Sequence, residues 1–308
     1  MVNLSLILLD NKHMKLEKYY RYIDKHFKNI DNTKCVAITG ATGSIGKGIA
    51  TFLSYLKYRL VLVGRNKKRL EMLKEELFDK FHNDINIVVI DFMKKETVLE
   101  GSNKLTELNI DVLINNAGIY HCDKQIVDNH DITYYVNFLM PMLLTNMLLK
   151  NNKNLKVINV ASLSYTFTNI NYRDLEASNI KNKTKIYANS KRLLMLYSLY
   201  LKSLGYDVVL AHPGVSTTNL FSKDKKNYPA LFYALCVPIM KVIFMNPYKA
   251  SLPMVKCVNE DVEDNNWVGP RGLAHAYGYP SKQKLAKNLK KDFNRDELKS
   301  IHEYIATL

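Results

Sequence analysis

The chain has 308 residues, 47% of them hydrophobic, and carries 44 Lys plus Arg against 29 Asp plus Glu for a formal net charge of +15. That is enough apolar material for a sizeable core, and no Pro/Gly/Ser-rich linker or composition break divides it, so one domain with decorated ends is expected. The basic balance invites a nucleic-acid reading, but only eight of the basic residues are Arg and the Lys are scattered beside many Asn. Without Arg clusters or aromatic–basic alternation, no nucleic-acid partner is expected, only a moderately anion-friendly surface.

In chain order, residues 1–33 read as an amphipathic helical appendage. Their apolar run "VNLSLILLD" has neither basic residues ahead of it nor a small-residue cleavage site behind it, and it is too short to span a membrane; Met14 is an alternative start. Short apolar runs then alternate with stretches of helical period. "KCVAIT" is followed by 47–57, "RLVLVG" by 67–81, "INIVVID" by 94–108, "IDVLINNAG" by 133–149 and "LKVINVAS" by 184–204, and "YDVVLAHPG" leads into a greasy segment. Strands of β-branched residues joined by crossover helices imply a parallel sheet buried on both faces, so the fold class is α/β, a Rossmann-type doubly wound sheet in three α/β/α layers. The catalytic domain is expected over 34–280.

The greasy segment 230–247, interrupted by Pro238 and Lys241, reads as a lid or substrate wall over about 221–247. Peripheral membrane contact is the alternative. The tail, 281–308, is rich in Lys, Glu and Asp and reads as one or two exposed helices. Cys35, Cys122, Cys236 and Cys257 form no C-x-x-C pair, and no H-E-x-x-H occurs. A reducing, cytoplasmic setting with no metal is expected.

The stretch "ITGATGSIG" follows the first strand and opens the first helix, with Gly40, Gly43, Gly46 and Gly48 among twelve glycines in all. In that context glycines permit a tight turn and close approach of a pyrophosphate to backbone N–H groups at a helix N-terminus. Gly40, Thr42, Gly43, Ser44, Ile45 and Gly46 are the candidate cradle. A site that binds the ribose 2′-OH places an acidic residue at the end of the second strand, where this chain has Gly64 and Arg65. Arg65 suits a 2′-phosphate, so NADP(H) is expected over NAD(H); Lys67 and Lys68 read as solvated residues at a helix start.

With "TGATGSIG" at 39–46, "NNAG" at 115–118, "VNFLMPMLLT" at 136–145, "INVAS" at 158–162, "YANSK" at 187–191 and "HPGVSTT" at 212–218 in this order, the chain resembles the short-chain dehydrogenase/reductase family over about 34–220. The layout looks most like its retinol-dehydrogenase and protochlorophyllide-reductase side. The resemblance implies a catalytic tetrad of Asn137, Ser162, Tyr187 and Lys191. Ser162 would bond the substrate oxygen, and Asn137 would hold Lys191 through a water. It also implies cofactor contacts at Asp91 and Phe92 (adenine), at Asn115, Asn116, Ala117 and Gly118 (ribose), at Tyr187 and Lys191, and at Pro213, Gly214, Val215 and Thr218 (nicotinamide and phosphates). A helix N-cap is the other reading of Asp91.

Tyr187 and Lys191, four apart in a helical stretch, share one face, and an ammonium beside a phenol lowers a pKa that starts near 10. Together with the positive charge of an oxidised nicotinamide, Lys191 is expected to bring Tyr187 toward neutrality, so that it can give a proton to a carbonyl oxygen or take one from an alcohol. Tyr120 and Lys124 match the same spacing but lie in a loop exit, and His212 reads as a packing residue.

A long connection, 163–186, and the greasy segment are expected to roof the site, favouring a bulky apolar ketone, aldehyde or alcohol. Assembly into homo-oligomers through the apolar fourth and fifth helices is open, with the basic tail as a possible block. Two other readings stay open: a nucleotide-sugar epimerase or dehydratase, because G-x-x-G-x-x-G is the glycine order of the family's extended branch, and a non-catalytic NADP(H)-sensing module.

Overall fold

The computed structural model describes residues 16–215, 245–263 and 266–308. Among them, eight strands form one sheet in the order β10-β9-β8-β7-β4-β1-β2-β3. These are β1 (Cys35–Thr39), β2 (Arg59–Gly64), β3 (Ile85–Val89), β4 (Val112–Asn115), β7 (Lys156–Val160), β8 (Val208–Ala211), β9 (Asn266–Pro270) and β10 (Pro280–Lys284). All neighbours run parallel except β10, which pairs antiparallel with β9. A two-strand hairpin, β5 (Ile126–Val127) and β6 (His130–Asp131), lies outside the sheet and turns through Asp128 and Asn129, both at positive φ. The sheet is parallel because its strands are apolar on both sides: all five residues of β1 are buried.

Alternation along β1 divides the core. Cys35 and Ala37 face one apolar cluster, Val36 and Ile38 the other. The second cluster is roofed by helix α1 (16–26), α2 (Ser44–Tyr55), α3 (Lys67–Phe81) and α7 (Pro247–Cys257). The first is roofed by α4 (Lys95–Glu107), α5 (Ile132–Asn151), α6 (Lys183–Ser203) and α9 (Arg295–Ala306), with α8 (Lys287–Lys291) contributing Leu289. Helix α5 is long and apolar enough to cross a membrane, but 89% of its most apolar window is buried inside the molecule, where it serves as a core helix.

Two elements differ from expectation. The tail does not consist of exposed helices alone. "PSKQK" is too polar to read as a strand, yet Pro280–Lys284 pairs in register with Asn266–Pro270, and α9 buries Leu298, Ile301 and Ile305. The N-terminal helix is likewise drawn into the core, where Tyr19 and Tyr20 pack edge-on against Phe52 of α2. From β1 the chain crosses through α2 to β2 on one side, while β4 lies on the other. The strand order reverses between them, and open α/β sheets bind ligands in the crevice at such a point.

Candidate active site

At that reversal a cleft of about 430 Å³ opens, lined by the cradle residues Gly40, Thr42, Gly43, Ser44, Ile45 and Gly46, and by Arg65, Asp91, Phe92, Asn116, Ala117 and Gly118. The glycines are there for space. A Cβ on Gly46 would sit 2.2 Å from the Gly40 carbonyl oxygen and 2.9 Å from Asn116 Nδ2. Gly40, at φ +65°, would place one 2.9 Å from Ala117 Cα. Helix α2 thus starts hard against the end of β1, and its N-cap, Gly43, has no side chain to block approach to the helix terminus. A concave cradle at a helix N-terminus fits the pyrophosphate of a dinucleotide.

Thr39, which the sequence analysis passed over, ties the two glycine turns together. Its Oγ1 accepts from the backbone N–H of Asn116 and of Ala117, each at 3.0 Å, and donates to the Ile114 carbonyl at 3.3 Å. Asn116 Nδ2 reaches back to the Thr39 carbonyl at 2.9 Å. The side chain of Asn115 faces the other way, so a ribose contact here would be through its backbone. Alternation along β4 puts Val112 and Ile114 in one core cluster and Leu113 in the other. Asn115 therefore points with Leu113, donating to Thr145 Oγ1 at 2.9 Å and Asn159 Oδ1 at 2.8 Å, 3% exposed.

Asp91 lines the cleft, but its Oδ1 accepts from Met93 N at 3.1 Å and the N-cap of α4 is Lys94. Lys67 is paired with Glu71 at 3.8 Å on exposed helix surface, whereas Arg65 lines the cleft.

Beyond Gly118 lie two of the four expected reacting residues, Asn137 and Lys191, and Tyr187, on the same helix as Lys191, lies beside the fourth, Ser162. Asn137 sits in a π-helical turn, Tyr135–Leu139, within α5. Its Oδ1 accepts from Ile119 N at 2.7 Å, and its Nδ2 donates to the Ile119 carbonyl at 2.9 Å and to Ser190 Oγ at 3.2 Å. Asn137 Oδ1 and Lys191 Nζ both face the spot a Gly118 Cβ would fill, at 3.1 and 3.7 Å. Lys191 Nζ donates to the Val160 carbonyl at 2.9 Å, and burial lowers its pKa from 10.5 to about 8. Tyr187 lies near enough to Ser162 for that hydroxyl to favour its phenolate, and Ser162 Oγ accepts from Ser164 Oγ at 2.9 Å.

The expected lowering of Tyr187 joins Lys191 to the positive charge of an oxidised nicotinamide, and Lys191 alone does not supply it. In the protein alone Tyr187 is not brought toward neutrality but pushed up to about 12, first by desolvation and then by the neighbouring Tyr120, with only the bond to Ser162 lowering it. The lysine's ammonium is bound to a carbonyl and is itself desolvated, so it does not repay the cost of burying a phenolate. Tyr120, whose spacing to Lys124 is uninformative, nevertheless belongs to the site. Its ring lies edge-to-face on Tyr187, centroids 4.8 Å apart.

On the far side, Pro213 and Gly214 form a turn fixed by His212, which is fully buried and stacked on Trp267 at 4.0 Å. Its Nδ1 accepts from Gly214 N at 3.3 Å, and its Nε2 meets Gln283 Oε1 of β10 at 3.2 Å. Burial lowers its pKa to about 4, so it is neutral and structural, as its sequence context suggests. Val215 donates to the Ala276 carbonyl. None of Pro213, Gly214 and Val215 lines the cleft. Thr218, Cys236, Met14 and most of the expected lid lie outside the described residues.

A family profile described as short chain dehydrogenase matches residues 34–178. Human retinol dehydrogenase 13 is 31% identical over 232 residues, covering 71% of this chain and 70% of that protein. Mouse retinol dehydrogenase 14 is 31% identical over 208 residues, with 61% of this chain and 62% of its own length covered. Among solved structures, an uncharacterized protein from Mycobacterium paratuberculosis superposes with a TM-score of 0.69 at 21% identity, covering 89% of this chain and 93% of that one. The L-sorbose reductase from Gluconobacter frateurii, complexed with NADPH and L-sorbose, superposes with 0.55 at 18% identity, covering 74% and 90%. At such identities the superpositions speak for the fold.

Proposed function

The chain belongs to the short-chain dehydrogenase family, and from that premise we propose that it is an NADP(H)-dependent oxidoreductase that interconverts a carbonyl and an alcohol. The observation that supports the reading is that Asn137 and Lys191 face Gly118, a residue of the glycine cleft, while Tyr187, one helical turn from Lys191, lies beside Ser162. A bound nicotinamide dinucleotide supplies or accepts the hydride. Gly40, Gly43 and Gly46 would hold its pyrophosphate, Arg65 a 2′-phosphate, and Asn116, Ala117 and Gly118 its ribose.

The chain's own residues handle the proton. Tyr187 holds one at its hydroxyl at neutral pH and is placed to give it to a carbonyl oxygen that Ser162 also contacts. Lys191, fixed by the Val160 carbonyl, would offer a donor to a bound cofactor's ribose, and the gap between Lys191 and Asn137 is where a relay to solvent would run. A bulky apolar substrate is part of the proposal on the composition of 221–247, and a cytoplasmic location on the cysteine pattern.

The test is turnover of aromatic and decalone-like ketones with NADPH, compared with NADH and with small sugars. Tyr187→Phe should lower turnover by about 10²-fold or more while leaving NADPH affinity unchanged. Equal turnover in the variant would refute the assignment. Cofactor bound through a cycle without net NADPH consumption would favour an epimerase.

A further inference from the structure

Next to Lys191, the catalytic helix α6 carries a side chain that the family motif does not explain. Arg192 is fully buried, and its guanidinium joins two separate segments to the helix. Nε donates to Asp292 Oδ2 at 2.6 Å, Nη1 to the Tyr165 carbonyl at 3.0 Å, and Nη2 to the Asn288 carbonyl at 2.7 Å. Asp292 is equally committed. The same Oδ2 accepts from Ile170 N at 2.8 Å, and its backbone carbonyl accepts from Tyr172 Oη at 2.6 Å. Residues 288–292 come from the C-terminal tail, whereas 165–172 form the connection that leaves Ser162. That connection begins as a 3₁₀ turn, Leu163–Phe167, which Ser162 itself caps through Ser164 N and which closes with Tyr165 N on the Ser162 carbonyl. The Tyr165 ring then packs edge-to-face on Trp267, which stacks on His212.

We propose that Arg192 is a positioning residue: through it the C-terminal segment 288–292 clamps the turn after Ser162 to helix α6, holding the Ser162 hydroxyl on Tyr187. The geometry supports a clamp rather than a passive ion pair. A planar guanidinium with donors in a fixed fork sets the relative placement of everything it touches, which a flexible ammonium does not. A buried charge also makes the arrangement all-or-none, since losing one partner leaves the other unpaired in the interior. Ser162 and Arg192 are thirty residues apart in sequence but joined through the single Tyr165 carbonyl, so slack in the tail becomes slack at the reacting hydroxyl. The proposal rests on the reading of Ser162 and Tyr187 as reacting groups.

The test uses Asp292→Asn and Arg192→Lys in the full chain, with Asp207→Asn, which alters an ion pair to Lys156 remote from the site, as control. The expected result has three parts: turnover at saturating substrate at least tenfold lower, NADPH dissociation constant within twofold of wild type, and the alkaline limb of alcohol oxidation displaced to higher pH, because Ser162 no longer favours the Tyr187 phenolate. Emission of Trp267, the chain's one tryptophan, should shift in both variants and not in the control. Unchanged turnover and pH profile in folded variants would overturn the clamp. So would kinetic losses that Asp207→Asn reproduces. If Asp292→Asn fails to fold, Tyr172→Phe, which removes one bond to the same segment, is expected to give the same pattern in weaker form, and an unchanged pattern there would overturn the proposal. Should the wild type turn over no carbonyl, the functional reading fails instead, and Trp267 emission in the variants still reports whether the tail holds the turn.

Discussion

Lys191→Met should make the protein more stable at neutral pH while abolishing turnover. Lys191 is 5% exposed, and burial lowers its pKa from 10.5 to about 8. At about 1.4 kcal/mol per pH unit, holding that ammonium inside costs about 3 kcal/mol at pH 7. Loss of its bond to the Val160 carbonyl takes back about 1 kcal/mol, leaving a net gain of about 2 kcal/mol, or ~3 °C in Tm for a chain of this size. A folded pKa below the unfolded one means that the unfolded chain binds more protons between pH 8 and 10.5. Wild-type stability therefore rises with pH through that window, and the advantage of the variant shrinks. Urea unfolding at pH 7 and pH 9.5 measures both numbers. A methionine variant less stable than wild type at pH 7, or a gap that does not narrow by pH 9.5, would refute the reasoning.

Thr39→Val, nearly isosteric, should cost about 1–3 kcal/mol and weaken NADPH binding, since the part-buried Ala117 N–H loses its acceptor and the Asn116 N–H keeps only the Ile114 carbonyl; a melting temperature within 1 °C of wild type would count against it. Gly46→Ala should reduce NADPH affinity by more than tenfold in a titration and lower stability by about 1–3 kcal/mol, because its Cβ would lie 2.2 Å from the Gly40 carbonyl oxygen, backbone that cannot easily give. Stability should also fall as pH drops from 6.5 toward 4, where the unfolded chain protonates a histidine that His212, lowered to about 4, keeps neutral in the fold. In His212→Gln that part of the acid slope should disappear from urea unfolding curves, and a slope identical to wild type would place the titration elsewhere.

The features legible in the sequence are those fixed by local chemistry. Apolar runs buried on both faces announce a parallel sheet whatever their partners, and glycines at the exit of the first strand mark where backbone must approach backbone. Spacings of four residues put Tyr187 and Lys191 on one helical stripe before any packing is known. For Asn115 the signal was present but unused: period-two alternation from Leu113 already turns it away from the cleft.

Other features exist only once distant segments meet. β10 is a strand because β9 offers it a ladder, not because "PSKQK" favours one. Tyr120 enters the site because its loop folds over α6. Arg192 becomes a clamp because residues 288–292 of the tail return to it. The pKa values of Tyr187 and Lys191 follow the same division. Sequence spacing establishes that the two side chains are neighbours, but the strength of charge interactions depends on how much water remains, and that is set by packing.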